Sequence, residues 1–355
     1  MEIIMNKKYC LLIALFIILL SGFLILENSK VTTYSEDYEI KLEASRLTAQ
    51  CFEKIKQLKI KKNINIDKST DLNHTGMIGQ DFSEITTTLG NLEAKRTSTN
   101  PNMSAVIVHM FNELRLQPKD TIAVNFSGSF PALNIAVMCA IEKMNLEPII
   151  ISSIGSSTHG ANDTELTYLD MENYLYNEGL ISNRSSYFSI GGMYDIGQEM
   201  NPETRDKIVK RLRNYGYKLL YDDDLIHNIN ARYDIYNSVN DVKCFVNVGG
   251  NDASFGDSNV MVYVDGGIIT ELPNKDDSTG LIQLFLKDSK PAIHILNIKS
   301  LAAKYGLPVD PLPLPSVGEG GVYNTYKYNK ILAAALVVAA FVLLYEIYFI
   351  NKNNE

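Results

Sequence analysis

The stretch AVNFSGSFPALNIAV, residues 123–137, decides how this chain is read. An apolar, β-type run ends at Phe126 and breaks into Ser127-Gly128-Ser129. Pro131 then suits the first turn of a helix, where its missing N–H needs no partner. Strand, glycine-bearing turn and helix in that order make the first half of a βαβ unit. Gly128 would let backbone approach a ligand closely, and the amides after it would leave a positive helix end, so the turn reads as anion-facing. No Walker-type GK[ST] follows and the loop is not GxGxxG, which argues against a nucleotide; a bare tight turn explains the same residues without any ligand.

Outward from this stretch the alternation continues. Strands are expected over 121–126, 148–153, 187–190, 217–221 and 244–248, and helices over 131–144, 165–178, 225–237 and from Asn201-Pro202 to Gly216. Asn100-Pro101 reads as the cap and first residue of a further helix, with Met103, Val106, Ile107, Met110, Phe111 and Leu114 on its buried side. MVYVDGGIITEL, residues 261–272, reads as a hairpin about Asp265-Gly266 at a sheet edge. The expected fold is α/β: a mostly parallel sheet with helices on both faces and an edge hairpin, flanked by N- and C-terminal transmembrane helices.

Those flanks are two apolar runs, 9–26 and 331–350, the second interrupted only by Glu346. The first is longer than the ~7–15 residues of a signal-peptide core and no A-x-A-like site follows, so it reads as an uncleaved anchor. A helix leaving the membrane is expected over 34–62, with Ile40, Ala44, Leu47, Cys51, Ile55 and Leu58 in one stripe. The α/β domain is expected over 67–306, with 67–100 polar and loop-like, and a Pro/Gly-rich linker over 307–330. Lys7 and Lys8 favour a cytoplasmic N-terminus, which places the central domain outside the cytoplasm of a two-span inner-membrane protein.

Charges in the terminal pieces cancel, so the net −8 of the 355-residue chain belongs to the middle, which excludes a general nucleic-acid trap. Cys10, Cys51, Cys139 and Cys244 form neither a disulfide framework nor a metal spacing; they read as buried small hydrophobes, and no metal or cofactor is indicated.

In an open α/β sheet, ligands bind beyond the carboxyl ends of the strands. Three polar loops fall there: NFSGS (125–129), SSIGSSTHGAND (152–163) and VGGNDASFGDS (248–258). Candidate ligand groups are Ser127, Gly128, Ser129, Ser156, Ser157, His159, Asn162, Asp163, Asn251 and Asp252. Ser127 or Ser129 as nucleophile with His159 as base would make an acyl-transfer site; His159 as an ordinary loop residue, and Asn162-Asp163 as a helix cap, are the plainer readings. GGND (249–252) resembles a block of SGNH-type hydrolases, but GDS follows it and no closing DxxH is evident. Asp222-Asp223-Asp224 reads as a solvated turn before a helix rather than a cation site. In TTTLGNLEAKRTSTNPN (86–102), Lys95 and Arg96 offer carboxylate or phosphate recognition, Arg96 as the fork donor; a surface loop with a salt bridge is the alternative.

TTTLGNLEAKRTSTNPN, FSGSFPALNIAV, IISSIGSSTHGAND and GGMYDIG (191–197) resemble the bacterial poly-γ-glutamate system protein family, over roughly residues 86–256. The resemblance implies a membrane-associated accessory of poly-γ-glutamate capsule synthesis or export. Its partners would be the polymer or its glutamyl precursors, and membrane subunits of the synthase or exporter. It brings no established catalytic residues. A non-enzymatic binder and a serine-dependent hydrolase or transferase acting on γ-glutamyl amides both remain open.

Overall fold

TIAVNF becomes a strand whose side chains after Thr121 are all buried, because it lies at the centre of a seven-stranded sheet. The computed structural model describes residues 2–239, 241–256, 266–271 and 280–352 and divides into two units. The larger, Glu36–Tyr323, holds this sheet. Its strands are β1 (Thr121–Phe126), β2 (Glu147–Ser153), β3 (Tyr187–Ser189), β4 (Lys218–Leu219), β5 (Phe245–Val248), β6 (Gly267–Ile269) and β7 (Ala292–Ile295). They lie in the order β6-β7-β5-β1-β2-β3-β4, all parallel except β6. From β1 the chain steps outward through β2, β3 and β4, then returns to the other flank of β1 for β5. That reversal opens a crevice beyond the carboxyl ends of β1 and β5.

The unit's helices are α1 (Tyr38–Lys61), α2 (Leu92–Ser98), α3 (Met103–Glu113), α4 (Pro131–Met144), α5 (Tyr168–Asn177), α6 (Pro202–Asn214), α7 (Leu225–Tyr236), α8 (Asp252–Phe255), α9 (Leu281–Lys287) and α10 (Ile298–Lys304). Alternate strand residues divide between two cores. Ile122, Val124 and Phe126 pack with α1, α3, α4 and α10, whereas Ala123 and Phe245 pack with α7 and α9. Both faces are therefore covered, as a parallel sheet requires.

The expected bounds of β1 and α4 coincide with those observed. The edge strand β6 pairs antiparallel with β7; the first arm of the expected hairpin, 261–265, lies outside the described residues. Elsewhere the structure departs from the sequence reading. α3 starts at Met103, because Asn100 and Pro101 form a preceding turn whose carbonyls accept Met103 N and Ser104 N. Asn162 and Asp163 form a short hairpin with Leu166–Thr167, and the cap of α5 is Thr167, boxed with Asp170. The polar segment before Asn100 contains a strand, Thr86–Thr88, paired with Ser156–Ser157, and then α2. The Pro/Gly-rich stretch is not loose as far as Tyr323: the Tyr323 hydroxyl bonds Asn102 and Ser45 at 2.7 Å each. Cys51 and Cys139 are buried free thiols with Sγ atoms 3.9 Å apart, but Cys10 is exposed, contrary to expectation.

The smaller unit joins the chain ends through antiparallel strands Val31–Tyr34 and Asn324–Lys327. Its helices, Glu2–Asn28 and Lys330–Lys352, each contain a segment long and apolar enough to cross a membrane.

One contact fixes the loops that leave β1 and β2. A Cβ on Gly128 would lie 2.7 Å from the Ile154 carbonyl oxygen and 2.9 Å from that of Gly155, both backbone. Gly128→Ala should therefore cost about 1–3 kcal/mol of stability, read as a lowered midpoint in denaturant unfolding. An unchanged midpoint would show that the two loops are not held together here.

Candidate functional site

The crevice forms a cavity of about 790 Å³. Every parallel strand around the switch point contributes the loop at its carboxyl end: Ser127–Phe130 after β1, Gly155 and Ser157 after β2, Gly192 after β3, Gly250–Asp252 after β5 and Asn297 after β7. Thr87–Asn91 and α2 close it from above.

The first two loops are laced together. Gly128 N donates to Gly155 O at 3.0 Å, Ser157 N donates to Ser129 Oγ at 3.0 Å, and Ser156 Oγ donates to Gly128 O at 3.0 Å. Ser127 Oγ donates to Val248 O at 3.1 Å. There Gly249 sits at φ +84°, and a Cβ on it would come within 2.5 Å of Ser127 Oγ, so the turn after β5 requires glycine.

Lys95 is the most deeply buried ionisable group lining this cavity. Asn91 caps α2 by accepting Ala94 N at 2.9 Å, and the helix directs Lys95 inward until only 1% of the residue is exposed. Its Nζ donates to Ser157 Oγ at 2.7 Å and to the Ser129 carbonyl, and lies 4.0 Å from the centre of the Phe130 ring. Among the described residues no carboxylate pairs with it. Burial alone pushes the ammonium down to about 7.

The neighbouring Arg96 turns away. Its Nε donates to Asp310 Oδ1 at 2.6 Å and its terminal nitrogen to Oδ2, so the fork expected for a ligand is filled by the chain's own carboxylate. His159 is likewise off the cavity. Its Nε2 lies 3.3 Å from Asp81 Oδ1, and its buried Nδ1 has no partner. The expected pairing of Ser127 or Ser129 with His159 is thus not assembled: the serines border the cavity and the imidazole borders Asp81. Asn162 and Asp163 are occupied in holding Gln80, through contacts of 2.9 Å. Ser156 faces inward to Gly128 O, whereas Ser157 lines the cavity.

Asn251 and Asp252 reach the crevice as the cap and first residue of α8. Asp252 accepts Tyr194 N at 2.7 Å, and burial raises its carboxyl above the usual range. Glu199, accepting Met193 N at 2.9 Å, lies on the same side. Asp224 caps α7, accepting Ile226 N at 2.7 Å. No cluster of three metal-donor side chains occurs among the described residues.

The sequence reading missed the polar layer beneath the crevice. Asn125, Asn247 and His294 stand in register on β1, β5 and β7, on the sheet face away from α4. Asn125 Nδ2 donates to Asn247 Oδ1 and to Asn251 Oδ1 at 3.1 Å each, while Asn247 Nδ2 lies 3.2 Å from His294 Nδ1. Burial takes His294 down to about 4, so it is neutral. Arg232, 1% exposed, donates to Asn125 Oδ1 at 2.8 Å, to Asp195 Oδ2 at 2.6 Å, and to Ser189 Oγ. The signal was present in TIAVNF, CFVNV and AIHI: each places one polar residue near the carboxyl end of an apolar run.

Two outcomes follow from these unequal buried cations. Asp195→Asn leaves Arg232 buried without a counter-charge and should cost about 3–5 kcal/mol in denaturant unfolding. Lys95→Met removes a buried ammonium that has no counter-charge and should stabilise the protein at pH 6 by about 1–3 kcal/mol. Because folding lowers the Lys95 pKa to about 7, the unfolded chain binds more protons above that pH. The gain should therefore shrink as pH rises from about 7 towards the ordinary lysine range, which unfolding at pH 6 and pH 9 would register. Comparison of the chain with protein-family models, curated proteins and solved structures found no match.

Proposed function

We propose that this chain is a membrane-anchored accessory protein of poly-γ-glutamate synthesis or export. Its α/β unit, held outside the cytoplasm, would bind the polymer or a glutamyl precursor through a carboxylate in the crevice. The single observation that carries the binding reading is Lys95, a cation buried at the cavity wall with no carboxylate of its own. A ligand carboxylate would supply the missing counter-charge, and the amides at the start of α4 border the same space. The net charge of −8 would keep the rest of the surface from retaining a polyanion. The pathway rests on the likeness of the long phrases around Lys95, Ser127 and Ser157. The topology rests on the two apolar terminal helices and on Lys7 and Lys8.

Calorimetry with short γ-glutamate oligomers on the full-length protein in detergent tests the binding. Lys95→Gln should weaken binding at least about tenfold, near 1.4 kcal/mol, while Arg96→Gln, whose fork already holds Asp310, should leave it within about twofold. Wild-type affinity should fall as pH rises from 6 to 8, because the Lys95 ammonium is lost through about 7. Equal affinity in Lys95→Gln would remove the proposal.

A further inference from the structure

We propose that Lys95 and Ser157 form a serine–lysine dyad that carries out acyl transfer on a carboxylic amide or ester held in the crevice. The inference rests on the reading of this cavity as the site of an acyl or carboxylate ligand. It assigns a nucleophile and a base that the sequence pattern did not indicate.

The geometry is that of an activated serine. The nucleophile and base are in direct hydrogen-bond contact, Lys95 Nζ to Ser157 Oγ at 2.7 Å, and both line the cavity. The base is in turn oriented by a third group, since the Ser129 carbonyl accepts from Nζ and the Phe130 ring lies under it. Gly90 makes room for the pair. A Cβ there would stand 3.0 Å from Ser157 Oγ and 2.9 Å from Lys95 Cε. The other serines are engaged differently: Ser127 Oγ donates to Val248 O, Ser153 Oγ to Phe126 O and Ser156 Oγ to Gly128 O, while Ser129 Oγ accepts Ser157 N. The amides of Ser129 and Phe130, at the start of the 14-residue α4, donate no hydrogen bond among the described residues and border the same cavity. They would be the donors to a developing oxyanion. The remaining ionisable groups at the cavity are held elsewhere: Glu199 by Met193 N, Asp252 by Tyr194 N, and Lys299 by Glu93 at 2.8 Å.

A lysine serves as base only as the neutral amine, and a buried site without a carboxylate favours that form. With the amine neutral, the Ser157 hydroxyl becomes the donor across the same contact. Oγ forms a bond to the acyl carbon, and its proton passes to Nζ. Collapse breaks the carbon–nitrogen or carbon–oxygen bond to the leaving group, which departs with the proton from Nζ. Water or an amine then attacks the Ser157 ester through the same relay, releasing the acid or a new amide and regenerating both residues. The carboxylate bound by the charged lysine is thus the product form of the acyl group on which the neutral lysine acts.

The test is labelling of the full-length protein in detergent with a fluorophosphonate, followed by peptide mapping. A single adduct on Ser157 is expected, forming faster as pH rises through about 7 and levelling above it. The rate should fall at least about 100-fold in Ser157→Ala and in Lys95→Arg, which keeps a cation but not a base. No adduct on wild-type protein, an adduct mapped to another serine, or undiminished labelling of Ser157→Ala would overturn the dyad. Calorimetry of Ser157→Ala with γ-glutamate oligomers separates the two readings. Binding without wild-type labelling refutes the dyad and leaves the carboxylate site; labelling without binding does the reverse.

Discussion

The crevice depends on the lacing of two crossover loops whose backbones meet at glycines. Gly128 N donates to Gly155 O at 3.0 Å, and Ala161 N returns a bond to Gly128 O at 2.8 Å. Backbones come this close only where Cβ atoms are absent, and Gly128, Gly155 and Gly160 all stand where a Cβ would strike backbone at 2.9 Å or less. With the loops fixed, Ser129 and Ser157 are brought together, and the Thr86–Thr88 strand is anchored on Ser156–Ser157. α2 then follows within one short turn and delivers Lys95. A shift of either loop would separate the lysine from both of its oxygen partners.

Charge is handled differently on the two sides of the sheet. Arg232 cannot shed its proton, so its burial is tolerated only with Asp195, Asn125, Asn228 and Ser189 arranged around it. Lys95 can shed its proton, and it has no counter-charge. Glu172, fully enclosed by Ser185, Tyr217 and Tyr168, shows the same logic for an acid: burial raises its carboxyl while hydrogen bonds hold the charged form. Arg232 and Glu172 are closed structural groups. Lys95, although buried, lines the cavity, and a strongly perturbed group there is the candidate for function. The polar ladder of Asn125, Asn247 and His294 supports the floor from below, and through Asn251 it fixes the turn after β5.

The anchoring unit adds a different constraint. Its two helices carry exposed apolar side chains, among them Phe16, Phe23, Val338 and Phe341, which water would not tolerate over such lengths. Under the proposed function, these helices would tether the acidic α/β unit at both ends to a bilayer, where it would meet ligands that emerge at that surface. In that reading, a crevice where only Lys95 lacks a carboxylate partner, within an otherwise negative unit, would favour brief capture over retention.

Local pattern settled much of the architecture. TIAVNF followed by a turn and Pro131 specifies strand then helix because alternation and a fixed proline φ act within a few residues, and here the observed bounds agree. The two apolar runs likewise reveal the terminal helices, each of the length and composition that crossing a bilayer would require. The short elements β7, α9 and α10 went unread, because four to seven residues carry too little period to recognise. The site was legible only in part. Sequence placed Ser127, Ser157, Asn251 and Lys95 in glycine-rich or polar loops, but it could not tell Lys95 from Arg96, adjacent residues whose roles diverge. The 100° step between neighbours on a helix sends one to Ser157 and the other to Asp310, 214 residues away. Whether a buried charge meets a carboxylate or a hydroxyl is decided by which distant segment packs against it, and only the tertiary structure fixes that.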